Sequence, residues 1–188
     1  MSAAALTRCP GVVRHWGSTP AERAERFPCD RLAPRAPMRL YRAVDVGAPA
    51  ASVFRWLCQL RAAPYSYDMI DNGGRRSPQE LTPGLEWLAA GQRFMRIFRL
   101  VEFEPGRSIT VLSRGTLFGE VAVSYRVRDT VAGRSRLVAK LLITPPEGAF
   151  GSQPARGLLA AGDLVMMRRQ LLNLAALAER ETRGAGAG

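Results

Sequence analysis

The chain alternates between stretches of clear hydrophobic periodicity and stretches with none. Residues 1–14 carry no period and read as a flexible N-terminal segment. Thr19-Pro20-Ala21-Glu22 then offers a capping hydroxyl, a proline at the first helical position and a glutamate three residues after the cap, which predicts a short helix running toward Arg26. Prolines 28, 34 and 37 break the chain. From Leu40 to Val46 the residues alternate as in a short strand, imperfectly, because Arg42 falls in the series with Leu40, Val44 and Val46. Between Pro49 and Leu60 the side chains of Val53, Trp56, Leu57 and Leu60 recur at i, i+3, i+4 and i+7, one face of a helix.

An irregular region of about 30 residues follows, longer than an ordinary connection, and its length favours a functional segment or a lid. It is punctuated by Gly73-Gly74, Pro78, Pro83-Gly84 and Gly91. Four extended segments come next, Arg93–Glu104, Ser108–Arg114, Gly119–Asp129 and Ser135–Thr144, rich in Val, Ile, Phe, Tyr and Thr. Pro105-Gly106 and Ala132-Gly133 stand where hairpins would turn, so the segments read as an antiparallel meander. Pro145-Pro146 ends it. After a glycine-spotted linker, Asp163 is placed to cap a long helix reaching about Arg180, with Leu164, Met167, Leu171, Leu174 and Ala178 on its inner stripe. Residues 184–188 read as a flexible tail, and residues 15–183 as a single domain. No repeat of 20 to 50 residues is visible, which sets aside solenoids and propellers.

Composition narrows the function classes. The 188 residues suffice for one domain with a real core. Lys plus Arg exceeds Asp plus Glu by 27 to 16, a net charge of +11, yet the arginines are dispersed and Lys140 is the sole lysine. Residues 1–37 hold six Arg and three acids, so most of the excess belongs to the later part of the chain. Cys9, Cys29 and Cys58 are odd in number and widely spaced, a pattern that fits neither a disulfide framework nor a thiolate metal site. His15 is the single histidine, so neither a zinc site nor a His-dependent triad has its usual parts. No glycine-rich phosphate loop is present, and no metal or organic cofactor is called for. Lacking a signal-like start and any run of about 20 apolar residues, the chain is expected to be cytoplasmic with no transmembrane segment.

The order of elements, the cluster Tyr65-Ser66-Tyr67-Asp68 followed by Asp71-Asn72, and Gly162-Asp163 opening the last helix together resemble the START-like superfamily, also called SRPBCC or Bet v 1-like. The bacterial polyketide cyclase-like branch, of mostly unassigned function, is the nearest in pattern, over roughly His15 to Glu181. The resemblance implies an α+β helix-grip fold. In it a curved antiparallel sheet wraps around a long C-terminal helix and leaves an internal cavity for lipids, sterols, polyketides or hormones. One scaffold of this kind hosts carriers, receptors and cyclases, so fold alone does not set chemistry.

The expected function is therefore binding of a small hydrophobic or amphipathic molecule in that cavity. Candidate ligand contacts are Trp56, Tyr65, Tyr67, Asp68, Asp71, Asn72, Trp87, Arg99, Tyr125 and Met167. Phenols, carboxylates and an amide supply the few directed hydrogen bonds such a site needs, while aromatics and thioethers supply apolar surface. Each has a plainer reading: a capped turn for Asp68, Asp71 and Asn72, a satisfied core tyrosine for Tyr125, core packing for Trp56 and Trp87, gap filling for Met167. The alternation leaves open whether Arg96 or Arg99 faces inward.

The first alternative is a polyketide cyclase or dehydratase-like enzyme, with Asp68 or Asp71 as acid or base and Tyr67 as donor. A second is a nucleic-acid or protein-partner module using the basic surface. Phe94-Met95-Arg96-Ile97-Phe98-Arg99 interleaves cations with aromatics, but it lacks the glycine that the RNP1 pattern requires after its first basic residue, which disfavours nucleic acid. A protein partner and the oligomeric state stay open.

Overall fold

The structure, a computed structural model, describes residues 11–116, 119–146 and 153–185, apart from the side chains of 71, 116, 153, 154 and 185. Three short helices, α1 (Gly11–His15), α2 (Pro20–Ala24) and α3 (Cys29–Leu32), precede strand β1 (Met38–Val46). Helix α4 (Ala50–Cys58) runs into a 3-10 turn (Gln59–Arg61), and a single turn α5 (Asp68–Asp71) interrupts the irregular region. Strands β2 (Arg93–Phe94), β3 (Phe98–Glu104), β4 (Ser108–Thr116), β5 (Gly119–Asp129) and β6 (Ser135–Thr144) follow, and α6 (Gln153–Ala185) closes the chain.

The six strands form one sheet in the order β1-β6-β5-β4-β3-β2, every pair antiparallel. The hairpins turn at Gly106 and Gly133, both with positive φ, as the sequence indicates. On the concave face Leu40, Val123, Leu137, Leu141, Ile109 and Val111 pack with Val53, Leu57 and Leu60 of the α4 region and with Met167, Leu171, Leu174 and Ala178 of α6. Sheet, α4 and α6 therefore share one core, and the fold is an α+β helix grip.

The convex face is covered as well. Phe27, Cys29, Ala33 and Ala36 pack on Ala43, Ala122, Val138 and Leu142. The Cys29 N–H donates to Ser124 Oγ at 2.9 Å, and Lys140 Nζ reaches Asp30 at 2.7 Å. Glu22 binds Arg136 at 2.8 Å and Arg128 at 3.4 Å, and Glu25 binds Arg126 and Arg128. Much of the basic surplus on the sheet's outer face is thus met by the three acids of the N-terminal segment. The capping box at α2 forms as its sequence predicts.

Four expectations are corrected. Gly11–His15 is helical, so ordered chain starts before residue 15, while residues 1–10 lie outside the described part. The long helix starts near Gln153, not at Asp163, and it runs through Gly184; residues 186–188 lie outside the described part. The helix passes through Gly162 at the ordinary propensity cost of a glycine, about 1 kcal/mol. Finally, the segment Arg93–Glu104 is two strands. Met95 and Arg96 both have positive φ and split it, and a register shift between Leu100 and Glu102 resets its phase. Ile97 consequently faces out and Val101 is only half-buried.

Candidate functional site

Two polar pairs cross the interior between sheet and α6. Arg42, on the inner face of β1, is fully buried, and its Nη2 donates to Asp163 Oδ2 at 2.7 Å. Its Nη1 donates to the Arg14 and Tyr41 carbonyls, so the guanidinium ties β1 to both α1 and α6. Seven residues along the same helix face, Gln170 accepts a 2.7 Å hydrogen bond from the Tyr125 hydroxyl. The Gln170 amide in turn donates to the Pro64 carbonyl at 2.7 Å and lies 3.2 Å from the Met95 sulfur. Met167 brings a second thioether within 3.8 Å of the same phenol.

Electrostatics follow burial. Desolvation pushes the Asp163 carboxyl up to about 6 even though Arg42 pulls it down. Tyr125 is raised by burial and further by the Asp163 charge, which places these two groups within one field. Burial, with a lesser effect of Asp68, pushes Tyr65 up to about 12.

Tyr65 differs from its neighbours. It is 1% exposed, packs edge-on against Trp56 with ring centroids 6.1 Å apart, and its carbonyl accepts from Asn173. Its φ of 57° is left-handed, a conformation that costs a bulky residue about 1–3 kcal/mol. Its hydroxyl has no hydrogen-bond partner among the described residues. Ser113, beside Val121 on the concave side of β4, carries a second buried hydroxyl in the same condition.

The other candidates of residues 65–72 belong to the loop outside the core, Asn72 buried within it and Tyr67 and Asp68 more exposed. Tyr67 is 40% exposed. Asp68 turns onto Ser77, accepting from its N–H at 2.8 Å and its hydroxyl at 2.6 Å, so it clamps its own loop instead of facing the interior. Asn72 donates to the Arg75 carbonyl, also within the loop. The Asp71 side chain lies outside the described part. Two candidates lie on the surface. Trp87 is 81% exposed: Arg61 and Gln92 hold its carbonyl, and the ring lies over Gly84 on the outside. Arg99 points to solvent and donates to the Gly91 carbonyl, because the break at Met95–Arg96 puts Phe98 and Leu100 inward. Arg96 is exposed too, so neither arginine of that strand enters the core.

Trp56 donates from Nε1 to Glu181 at 2.9 Å and forms a wall of a cleft of about 390 Å³ with Gln79, Glu80, Leu81, Leu177 and Arg180. Interior groups that sequence reasoning missed are Arg42, Asp163, Gln170 and Ser113. The signal for the first was present, since a cation at an inward strand position requires a buried acid. Asp163 was instead read as a helix cap.

Neither a family model nor a curated protein sequence matches the chain. Solved structures do. The Zhui aromatase/cyclase from Streptomyces sp. R1128 superposes with a TM-score of 0.54 at 21% identity, over 79% of this chain and 97% of that one. A Thermobifida fusca protein gives 0.54 at 18% identity, over 76% and 93%. The di-domain ARO/CYC BexL from the BE-7585A biosynthetic pathway gives 0.50 at 12% identity, over 75% of this chain and 46% of that one. At these identities the likeness shows the fold alone: the chain has the helix-grip architecture. No helix among the described residues is long and apolar enough to cross a membrane.

Proposed function

We infer that the protein binds a small, largely apolar molecule carrying a hydrogen-bond acceptor, held between the concave face of the sheet and α6. The observation that carries this reading is the Tyr65 hydroxyl, a buried donor without a partner among the described residues, on a left-handed backbone. An unsatisfied buried hydroxyl costs about 1–3 kcal/mol. A ligand carbonyl or hydroxyl recovers that cost, whereas a purely structural tyrosine at this position would do better as phenylalanine. Met95 and Met167 beside Tyr125 supply adaptable apolar surface for such a ligand. The experiment is displacement of a fluorescent apolar probe, 1-anilinonaphthalene-8-sulfonate, by fatty acids and by hydroxylated polycyclic aromatics. Wild type should show competitive displacement, and Tyr65→Phe should weaken the oxygenated competitors selectively.

A second reading, cyclase-like catalysis, is favoured by one feature: burial pushes the Asp163 carboxyl up to about 6 in a desolvated site within the field of Tyr125. Such a carboxylate is suited to take a proton from carbon adjacent to a ketone, leaving an enolate. This moves the acid–base role from Asp68 and Asp71 to Asp163. Turnover of a poly-β-ketone substrate that survives Asp163→Asn unchanged would remove it.

A further inference from the structure

Among the described residues the backbone enters the left-handed region at three non-glycine positions, Tyr65, Met95 and Arg96. At each reversal one side chain turns into the interior, Tyr65 in the first case and Met95 in the second. The apolar residues that follow turn out. Met69 is 83% exposed, Ile70 74% and Ile97 49%. The two segments adjoin: the guanidinium of Arg96, the residue before Ile97, approaches the space above Gly73 of the loop that carries Met69 and Ile70.

Three arginines lie on the same surface. Arg75, Arg76 and Arg96 are exposed and make no ion pair among the described residues. Asp68, the described carboxylate of the loop, is turned onto Ser77. On the convex face, by contrast, Arg126, Arg128, Arg136 and Lys140 are each matched by Glu22, Glu25 or Asp30. Isolated exposed apolar residues need no explanation, but three on adjoining segments, accompanied by arginines that make no ion pair among the described residues, do.

We propose that this surface docks on an anionic lipid bilayer, with Met69, Ile70 and Ile97 entering the headgroup boundary and Arg75, Arg76 and Arg96 meeting lipid phosphates. The chemistry is that of a shallow interfacial anchor. Short apolar side chains on a compact loop enter the boundary, and guanidinium groups stay at headgroup level on their aliphatic stems. Each arginine brought to an anionic surface strengthens binding about fivefold. The docking surface lies outside the interior polar groups, so it stands or falls separately from the ligand-binding reading.

The test is co-sedimentation of the full chain with vesicles of phosphatidylcholine alone and of phosphatidylcholine mixed with phosphatidylglycerol. Binding is expected to the mixed vesicles and to fall with salt. Arg75→Glu with Arg76→Glu should lower the partition coefficient at least about tenfold, and Met69→Ser, Ile70→Ser, Ile97→Ser together should abolish it. Val131→Ser, an exposed apolar residue on the β5–β6 turn, should change nothing. Thermal unfolding of each variant checks that the domain remains folded. Failure of wild type to sediment with the mixed vesicles overturns the proposal, as does equal loss in Val131→Ser. Binding of single-stranded oligonucleotide that depends on the arginines and is indifferent to the three apolar replacements also overturns it, in favour of nucleic acid.

Discussion

Arg42 and Asp163 meet at 2.7 Å inside the grip, joining the edge strand of the sheet to the middle of the long helix across a desolvated interior. Removing one partner strands the other charge. Arg42→Leu should therefore destabilise the fold by about 3–5 kcal/mol, read as a lowered urea midpoint. A loss well under 1 kcal/mol would mean that the pair is not shielded.

The same pair sets a pH signature. Burial holds Asp163 up at about 6, above its ordinary value near 3.8. The folded state thus binds this proton more tightly than the unfolded state, and Asp163's contribution to stability is full below about pH 3.8 and lost as pH rises through about 6. Its carboxyl carbon shift should titrate near 6. In Arg42→Leu the attraction goes while desolvation stays, so the midpoint should move higher still; a downward move would contradict the assignment.

Glu22 should act with the opposite sign. Burial pushes its carboxyl up, but hydrogen bonds from Arg136 and Thr19 outweigh this and hold it below its ordinary value. Its contribution is present above its unfolded value and lost as pH falls through the lowered folded one. Acidification should loosen the N-terminal cover before the core. Amide exchange in residues 16–37 ought to accelerate ahead of exchange in β5 and β6, and Glu22→Gln should reproduce that at neutral pH.

Gly17→Ala tests the same cover sterically. Gly17 has a φ of 72°, and an added Cβ would collide with the Ala43 carbonyl, whose residue also donates its N–H to Trp16. The variant should expose residues 16–37 to limited proteolysis while β1 to α6 stays resistant. An unchanged cleavage pattern would mean that the segment is held without this contact.

How the chain announced these features depends on what each residue answers to. Periodicity reports local geometry, so the α4 stripe of Val53, Trp56, Leu57 and Leu60, the capping box at Thr19 and the turns at Gly106 and Gly133 were legible. The start of α6 was misread because Gly162-Asp163 imitates a cap, while Pro154, suited to a first helical turn, was the better mark. The β2–β3 break rests on Met95 and Arg96, neither of which advertises a left-handed backbone. At the candidate site the tyrosine-rich segment drew attention correctly to Tyr65, which enters the core, but Tyr67 and Asp68 two and three residues later belong to the outer loop. Long-range partners such as Arg42 with Asp163 have no local signature.

The Tyr125 and Gln170 bond is structural in this account. Gln170→Ala should leave the Tyr125 hydroxyl and the Pro64 carbonyl unmet and cost about 1–3 kcal/mol in chemical denaturation. Tyr65→Phe, made in protein free of ligand, should be neutral or slightly stabilising, since it deletes an unsatisfied hydroxyl. Equal losses in the two variants would show that Tyr65 also serves the fold.

The central claim is tested most directly by native mass spectrometry of protein purified without detergent, wild type beside Tyr65→Phe. A small apolar molecule bound one to one is expected in wild type, bearing a carbonyl or hydroxyl when identified after denaturing extraction, and depleted in the variant. Wild type that carries no passenger and gains none on incubation with fatty acids and aromatic polyketides would contradict the claim.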